Sequence, residues 1–301
     1  MKEIILTYVL YDYADSFLNF RYLIYQLQQL KENIKFIKFN LILSKCSNNK
    51  DVNQELKKLK LDYSIINVNI ENDLSCFYFS IKNSNILSKN SNYIFLNSSC
   101  IGPFYPAYIN IDKLFELINQ NLESFNVLAP VIEFPRDEVS KTIIEKNKLK
   151  KIPDSNINIP FFHSYCFMCD YQSLSFLIND KAFPETDVLK GIAVNYYERY
   201  LTATLLNNGF KIKTLSLLSP RIISSENIDQ WNPDLHTKPW KGNLTCPEVE
   251  DNYYYSNLNP IEVMFFKNIR HQGAHRGENV SGISLSNYKF IEKILNSIQD
   301  I

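Results

Sequence analysis

Polar side chains that could bind a phosphate-bearing ligand follow two apolar segments in the first third of the chain. Asp12 comes shortly after the apolar run at residues 4–10, and Asn97, Ser98 and Ser99 come directly after residues 93–96. Each run suits a buried strand, and in open α/β sheets ligands bind outside the carboxyl ends of the strands. Polar groups at such ends can hydrogen-bond ribose or phosphate. The plainer alternative is a turn in which they only satisfy backbone groups.

Two acidic residues in the second half of the chain are candidates for proton transfer. Glu198 begins a helical pattern of apolar residues, so a helix could direct its carboxylate into a cleft. A carboxylate positioned in this way can remove a proton from a hydroxyl group. A carboxylate at a helix start also stabilises the helix dipole without any catalysis, and that alternative stays open. Asp170, at the end of the segment 160–170, is the second candidate.

Three basic side chains could neutralise the charge of a diphosphate. Lys267 and Arg270 are three residues apart, which places them on one face of a helix. Ammonium and guanidinium groups bind phosphate oxygens through charge-assisted hydrogen bonds. Lys238, within His-Thr-Lys-Pro-Trp at residues 236–240, is the third candidate. A solvated helix edge is the alternative interpretation of Lys267 and Arg270.

The cysteines at positions 166 and 169 raise the question of a zinc site near His163. Cys-x-x-Cys can bind zinc, but a structural site needs four ligands and a second close pair, which this sequence lacks. On an extended strand, Cys166 and Cys169 would face opposite sides of the sheet. We therefore predict no metal site, and we interpret His163 and Tyr165 as core or binding-pocket residues.

Alternating strands and helices in the first half of the chain must position these residues. Strands are predicted over residues 4–10, 34–43, 63–68, 93–96 and 125–131. Helices are predicted from residue 15 or 16 to residue 30, and over 51–61, 74–87 and 111–122. This β-α-β alternation predicts an α/β fold with a central, mostly parallel sheet and helices on both faces.

The second half of the chain is less regular. The pattern predicts strands over 160–170 and 209–218, helices over 185–207, 261–269 and 286–298, and loops between 219 and 260. The chain has no internal repeat and no Gly/Ser linker. We therefore expect a single domain that spans residues 1–301.

Composition and charge argue against several classes of partner and location. Lysine plus arginine number 32 and aspartate plus glutamate also 32, so the formal net charge is zero, whereas a nucleic-acid binder usually has a basic excess. The first residues lack the features of a signal peptide, and no stretch approaches the roughly 20 apolar residues of a membrane span. We expect a cytoplasmic protein with reduced cysteines, and leave open a peripheral contact with the inner face of a membrane.

Four stretches of the chain resemble motifs of glycosyltransferases from bacterial and viral surface-polysaccharide clusters. Residues 93–104, Tyr-Ile-Phe-Leu-Asn-Ser-Ser-Cys-Ile-Gly-Pro-Phe, are similar to an apolar strand followed by Asn-(Asp/Ser)-Ser and Gly-Pro-Phe. Residues 162–165, Phe-His-Ser-Tyr, followed by Asp170, resemble a His-x-x-Ser-Tyr strand that is two residues longer in the family. Residues 198–201 and 209–212 are similar to the Glu-x-x-Leu and Gly-Tyr-x-Ile element of inverting GT-A enzymes. Residues 260–270 resemble Pro-x-Glu-x-x-Phe-x-Lys-x-x-Arg.

The resemblance implies one GT-A-like domain of Rossmann type, with a nucleotide-binding half at residues 1–130 and an acceptor half with C-terminal helices at residues 131–301. It implies inverting transfer of a hexose or related sugar from a UDP- or GDP-linked donor. The acceptor would be a glycan or lipid-linked glycan, as in capsule or O-antigen synthesis. Together with the residue patterns above, it leads us to expect donor binding by Asp12, Asn97, Ser98, Ser99, Lys238, Lys267 and Arg270, catalysis by Glu198 and Asp170, and acceptor binding by His163 and Tyr165.

Two departures from the family pattern bear on these expectations. GT-A enzymes hold a divalent cation with Asp-x-Asp at the end of the central strand. This chain has Asn97, Ser98 and Ser99 there, so a metal requirement is left open. The Asn-x-Gly-x-Asp element that precedes this strand in the family is matched only weakly by Ile-Glu-Asn-Asp at residues 70–73.

Two alternative functions therefore stay open. One is a catalytically degenerate GT-A-like protein that binds a sugar or a nucleotide, which the absence of Asp-x-Asp favours. The other is a dinucleotide-dependent enzyme. It is the weaker alternative, because no Gly-x-Gly-x-x-Gly follows the first predicted strand and the chain has seven glycines in all.

Overall fold

The computed structural model describes residues 2–12, 16–31, 36–46, 49–84, 86–130, 132–133, 161–215, 222–224, 226 and 264–267. The strands of the first half are β1 (Glu3–Tyr11), β2 (Ile37–Ser44), β3 (Asp62–Val68), β4 (Ser91–Asn97) and β5 (Cys100–Ile101). The helices of this half are α1 (Ser16–Gln28), α2 (Asn49–Leu56), α3 (Asp73–Asn83) and α4 (Ile111–Ser124).

The remaining described strands are short. They are β6 (Val127–Ala129), β7 (Ile132–Glu133), β8 (Phe161–Phe162), β9 (Cys166–Asp170), β10 (Ile212–Thr214), β11 (Ile222–Ile223) and β12 (Phe266–Lys267). The helices of this half are α5 (Tyr171–Asn179), α6 (Lys190–Ile192) and α7 (Glu198–Asn207). A π-helical segment, Ala193–Tyr197, joins α6 to α7.

Eight of the described strands form one sheet in the order β3-β2-β1-β4-β9-β6-β10-β11. Strand β1 pairs in parallel with both β2 and β4, β2 pairs in parallel with β3, and β6 pairs in parallel with β10. Strand β9 runs antiparallel between β4 and β6, and β11 is antiparallel to β10. The predicted α/β class with a mostly parallel sheet is confirmed.

Helices cover both faces of this sheet, as the sequence pattern predicts. On one face, side chains of α3, α5 and α7 pack with Val9, Phe95 and Phe167, and the rings of Phe95 and Phe167 stack with their centroids 4.9 Å apart. On the other face, α1, α2 and α4 pack with the alternate residues of the same strands. Successive side chains of a strand point to opposite faces. A strand covered on both faces is therefore largely apolar, as residues 4–10 of β1 and 93–96 of β4 are.

The parallel direction of β1, β3 and β4 brings three chain segments to one edge of the sheet. Asn97, the last residue of β4, lies beside Val9 of β1. Asp73 begins α3, the helix that follows β3. The carboxyl ends of the strands therefore gather polar residues that are far apart in sequence, at the edge where α/β sheets bind ligands.

The segment predicted as one strand over 160–170 is two strands separated by a turn. Strand β8 ends at Phe162 and β9 begins at Cys166. Between them, the carbonyl oxygen of Tyr165 accepts a hydrogen bond from the backbone N–H of Asn97 at 3.0 Å. The turn thus lies against the end of β4. Helix α5, which follows β9, has no counterpart among the predicted elements.

The helix predicted over 185–207 begins later than the pattern indicates. Residues 185–189 form a loop, and the helix starts at Lys190. The loop is held against the start of α3, because the carboxylate of Asp187 accepts hydrogen bonds from the backbone N–H of Glu71 and from the side-chain amide of Asn72. These contacts hold the loop in place without helical hydrogen bonds.

The helix predicted over 261–269 is wrong at the residues that the structure describes. Residues Phe266 and Lys267 form β12, which pairs antiparallel with Ile101 and Cys100 of β5. Backbone pairing with a distant segment overrides the local helical pattern. The predicted helix over 286–298 and most of the predicted loops over 219–260 lie outside the described residues. No described helix has the length and apolar composition needed to cross a bilayer.

Candidate functional site

A hydrogen bond between Asn97 and Asp73 joins the end of β4 to the start of α3. The side-chain amide of Asn97 donates to Oδ2 of Asp73 at 2.6 Å. The side-chain oxygen of Asn97 accepts from the backbone N–H of Ser99 at 3.0 Å and from its hydroxyl at 2.6 Å. Hydrogen bonds therefore fix both the nitrogen and the oxygen of the Asn97 side chain. Asp73 and Ser99 lie beside it at the same edge of the sheet.

Ser98 stabilises the turn after β4 from inside the protein. Its side chain is fully buried, and its hydroxyl accepts a hydrogen bond from the backbone N–H of Tyr11 at 3.1 Å. Its N–H donates to the carbonyl of Val9, and its carbonyl accepts from the side-chain amide of Asn19 at 2.9 Å. The donor-binding role expected for Ser98 does not fit this position, because its polar groups link β1, the turn and α1.

Ser164 connects two carboxylates in the centre of the site. Its backbone N–H donates to Oε1 of Glu198 at 2.9 Å, and its hydroxyl donates to Oδ2 of Asp73 at 3.3 Å. The order of contacts is therefore Ser99, Asn97, Asp73, Ser164 and Glu198. We call these five residues the strand-end network. They come from four separate segments of the chain, and three of the five were singled out from the sequence.

His163 faces the second oxygen of the Glu198 carboxylate. Its Nδ1 lies 3.5 Å from Oε2, within ion-pair distance. The imidazole ring is held by an edge contact with Phe161, at a centroid distance of 5.2 Å, and by stacking with Tyr165 at 5.6 Å. His163 and Tyr165 are both buried. Tyr165 packs with the core on the face of α1 and α4, so the acceptor-binding role expected for it does not fit.

The Glu198 carboxylate is held in its ionised form. Its burial alone would raise the pKa. The neighbouring His163 imidazole and the hydrogen bonds from Ser164 outweigh that effect, so the pKa of Glu198 lies below its ordinary value. Glu198 does not start a free helix, because Tyr197 before it already has helical dihedral angles and the helical segment begins at Lys190. The helix-dipole explanation of this carboxylate is therefore excluded.

Asp73 is the carboxylate of the network that the sequence reasoning missed. It is half-buried and follows Asn72, the N-cap of α3, whose side-chain oxygen accepts from the N–H of Ser75 at 2.8 Å. The signal that could have found Asp73 is its position as the last residue of the stretch 70–73, which matches the family's Asn-x-Gly-x-Asp element weakly.

The side chains of Tyr11 and Cys76, which lie beside Asp73, are uncharged at neutral pH. The hydroxyl of Tyr11 lies 3.7 Å from Sγ of Cys76. Burial, and then the neighbouring Asp73 and Cys76, raise the pKa of the Tyr11 hydroxyl well above its ordinary value. Burial likewise raises the pKa of the Cys76 thiol to about 12. Asp12, directly after Tyr11, is exposed at the carboxyl end of β1, where the sequence places it.

The segment 264–267 packs against the residues that follow the network. A Cβ on Gly102 would lie 2.5 Å from the carbonyl oxygen of Met264, and Gly102 has a φ of +150°. That carbonyl accepts from the N–H of Phe104 at 2.7 Å, and the backbone of Lys267 pairs with Cys100. The close approach therefore requires a glycine in the Gly-Pro-Phe stretch. Lys238 and Arg270 lie outside the described residues.

Asp170 lies away from this site, at the other edge of the sheet. It pairs with Asn92, near the amino end of β4, because β9 runs antiparallel to β4. Its Oδ1 accepts from the N–H of Ser173 at 2.8 Å and from its hydroxyl at 2.6 Å, and its Oδ2 accepts from Asn126 at 3.0 Å. Asp170 is the N-cap of α5. The catalytic role expected for it does not fit this position.

The described side chains that could coordinate a metal do not match a dedicated divalent-cation site. Cys166 and Cys169 belong to the cores on opposite faces of the sheet, as expected for an extended strand. Among the described residues, no group of three or more His, Cys, Asp and Glu side chains is placed to hold a metal ion. In the strand-end network, Oδ2 of Asp73 and the side-chain oxygen of Asn97 each already accept two hydrogen bonds.

Comparisons with known proteins show likeness to solved structures. No protein-family model matches the chain, and no curated protein matches it. A mannosyltransferase from Pyrobaculum calidifontis in complex with GDP-Man and Mn²⁺ has a TM-score of 0.39 at 9% identity, covering 58% of this chain and 46% of its own. A 4-diphosphocytidyl-2C-methyl-D-erythritol synthase from Anaerococcus prevotii has a TM-score of 0.41 at 14% identity, covering 78% and 98%. Mouse xyloside xylosyltransferase 1 has a TM-score of 0.36 at 14% identity, covering 68% and 82%.

Two of these three structures are glycosyltransferases by name. The chain spans just under half the length of the Pyrobaculum enzyme. Because none of the three TM-scores exceeds 0.41, the likeness carries no argument about an activity, a donor or a metal.

Proposed function

We propose that the chain is a glycosyltransferase that moves a sugar from a nucleotide-sugar donor to a glycan acceptor. The observation that carries the proposal is the meeting of parts of the four resembling stretches at one edge of the sheet. Asn97 and Ser99 reach Glu198 through Asp73 and Ser164. Segment 264–267, from the fourth stretch, pairs with β5 directly after them. Motifs that only stabilised their own local structure would have no reason to converge in this way.

Sugar transfer makes two demands on this site. The bond between the anomeric carbon and the diphosphate breaks, so the negative charge of the departing diphosphate must be stabilised. We assign that charge to Lys267, Arg270 and Lys238. The exposed Asp12 and the half-buried Ser99 would hydrogen-bond the ribose or sugar hydroxyls. In inverting transfer, the acceptor hydroxyl also loses a proton, and Glu198 and Asp73 are the carboxylates of the strand-end network that could accept it.

The finer assignments also belong to this proposal. The donor would be UDP- or GDP-linked, the transferred group a hexose or related sugar, and the stereochemical course inverting. The acceptor would be a glycan or lipid-linked glycan in surface-polysaccharide synthesis, at the cytoplasmic face of a membrane. The GT-A-like family motifs quoted above support these assignments.

A degenerate GT-A-like protein that binds a sugar or a nucleotide is the second candidate. The observation that favours it is the strand end itself. Residues 97–99 offer no carboxylate, and Glu198, the expected base, is only 3% exposed. Such a protein would bind the donor without cleaving it.

Donor binding and donor cleavage together test the proposal. We expect UDP- or GDP-sugars to raise the melting temperature, because a ligand that binds only the folded state stabilises it by mass action. Released nucleoside diphosphate should then accumulate with time. Asn97→Ala should reduce the thermal shift, whereas Asn90→Ala, an exposed asparagine before β4, should leave it unchanged.

Each other outcome points to a different function. A thermal shift without release of diphosphate, with every acceptor offered, supports the binding protein. A shift with NAD alone supports a dinucleotide-dependent enzyme. The absence of any shift with UDP, GDP, CDP and their sugars at millimolar concentration would contradict the donor hypothesis.

A further inference from the structure

We propose that Asp73 is the group that accepts the proton of the acceptor hydroxyl, and that Glu198 positions it through Ser164. This inference rests on the proposed function and adds a catalytic residue to it. The resembling motifs point to Glu198 as the base, whereas the geometry points to its partner in the strand-end network.

The carboxylates of Glu198 and Asp73 differ in their exposure to solvent. A general base must come within about 2.6–3.2 Å of the hydroxyl from which it takes a proton. Glu198 is 3% exposed, whereas Asp73 is half-buried at the edge of the sheet where ligands bind. An acceptor can therefore approach Asp73 without displacing the turn at residues 163–165.

The Glu198 carboxylate is enclosed by its neighbours. Its Oε1 accepts from the N–H of Ser164 at 2.9 Å, and its Oε2 faces Nδ1 of His163 at 3.5 Å. Protonation of Glu198 would remove the charge that these donors stabilise. The lowered pKa of Glu198 agrees with a carboxylate that stays ionised as an anchor.

Ser164 connects Glu198 to Asp73 by hydrogen bonds. Its N–H is fixed by Glu198, and its hydroxyl donates to Oδ2 of Asp73 at 3.3 Å. Asn97 donates to the same oxygen at 2.6 Å. Two donors that converge on Oδ2 hold the Asp73 carboxylate in place. Such orientation by surrounding groups makes proton transfer efficient.

The proposed step balances without any additional reactant. The acceptor oxygen forms a bond to the anomeric carbon while its proton passes to the Asp73 carboxylate. The bond between the anomeric carbon and the diphosphate oxygen breaks, and its electron pair leaves with the diphosphate. The resulting Asp73 carboxylic acid then returns its proton to water.

The test compares Asp73→Asn with Glu198→Gln in the full chain, using the UDP- or GDP-sugar that the wild type cleaves. For Asp73→Asn we expect kcat to fall by about 10²–10⁴, the usual effect of losing a general base, with a donor Kd close to that of the wild type. For Glu198→Gln we expect a smaller loss of kcat. Asp62→Asn, the same change at an exposed residue of the opposite sheet edge, is the matched control and should keep full turnover.

The pH profile of kcat separates a base from a structural residue. The fall of kcat toward acid pH should persist in Glu198→Gln and disappear from the residual activity of Asp73→Asn. Should Asp73→Asn be unstable, Ser164→Ala serves instead. It removes the hydroxyl donor to Asp73 and keeps the N–H that binds Glu198, and it should lower kcat with little change in donor Kd.

Three results would overturn the inference. A greater loss of kcat in folded Glu198→Gln, together with loss of its acid limb, would make Glu198 the base. A raised donor Kd with unchanged kcat in Asp73→Asn would make Asp73 a donor ligand. Donor cleavage by the wild type shows that the proposed function holds in both cases. Absence of cleavage by the wild type with every donor would remove the proposed function and this inference together.

Discussion

The side-chain amide of Asn97 donates a 2.6 Å hydrogen bond to the carboxylate of Asp73. The bond joins the end of the central strand to the first residue of α3, and it places a carboxylate beside a strand end that has none of its own. The Asp73 carboxylate at this edge therefore comes from the start of a helix that packs against the strand.

Replacement of Gly102 by alanine should destabilise the protein and weaken donor binding. A Cβ at Gly102 would meet the carbonyl of Met264 at 2.5 Å, and the φ of +150° disfavours any side chain. We expect a loss of more than about 1 kcal/mol in the free energy of unfolding, measured by urea denaturation. The thermal shift with donor should also decrease, because β12 contains Lys267, to which we assign the charge of the diphosphate.

Gly191→Ala is the matched control for that change. Gly191 lies in α6, and a Cβ there would have no atom within 4 Å. Alanine should stabilise the protein by about 0.4–1 kcal/mol, by reducing the entropy of the unfolded chain. Equal effects of the two substitutions would show that the contact with Met264 does not matter.

Asp170→Ala should reduce stability and leave ligand binding intact. Asp170 caps α5 by accepting two hydrogen bonds from Ser173, and loss of an N-cap costs about 0.5–2 kcal/mol. Asp170→Asn, which keeps an N-cap acceptor, should lose less. Because Asp170 lies at the opposite edge of the sheet, both variants should keep the thermal shift with donor and the rate of diphosphate release. A collapse of that rate in a folded variant would restore the catalytic assignment.

The stabilising effect of Glu198 should disappear in acid. Its pKa lies below the ordinary value of 4.5, because His163 and Ser164 outweigh the opposing effect of burial. A carboxyl whose pKa is lower in the folded chain binds fewer protons there, so it stabilises the fold above that ordinary value. The stabilisation is lost as pH falls through the folded value. The difference in melting temperature between wild type and Glu198→Gln should therefore be larger at about pH 6 than at about pH 3.

His163→Asn provides an independent check on that pH dependence. It removes the partner that does most to lower the pKa of Glu198. The part of the acid-induced fall in melting temperature that depends on Glu198 should then be smaller than in the wild type, because the pKa of Glu198 in the folded chain rises toward its unfolded value. An equal fall in both proteins would show that the contact between His163 and Glu198 does not control the titration.

Donor binding should depend little on divalent cations. Mg²⁺ and Mn²⁺ prefer carboxylate ligands, and residues 97–99 after the central strand have none. The thermal shift with a nucleotide sugar should therefore be similar with a chelator and with added Mn²⁺. A shift that requires Mn²⁺ and is reversed by the chelator would contradict this. Asp12→Asn and Asp73→Asn would then test the two carboxylates at that edge.

The sequence by itself determined the elements of the central sheet and the strand ends. Strands β1 and β4 are buried on both faces, so most of their positions are apolar and the runs are visible without a structure. Helix α4 was equally readable, because its apolar residues repeat with helical spacing and end near the predicted limits. The positions of Asp12 and Asn97 at strand ends followed directly from these runs.

Only the tertiary structure decided which of the candidate residues meet. Local spacing contains no information about strand order, and the insertion of β9 antiparallel between β4 and β6 is set by long-range packing. That direction brings Ser164, before β9, to Asp73 and Glu198, and it carries Asp170, at the end of β9, to the opposite edge. Lys267 lies in a strand for the same reason, because backbone pairing with β5 outweighs a local helical preference.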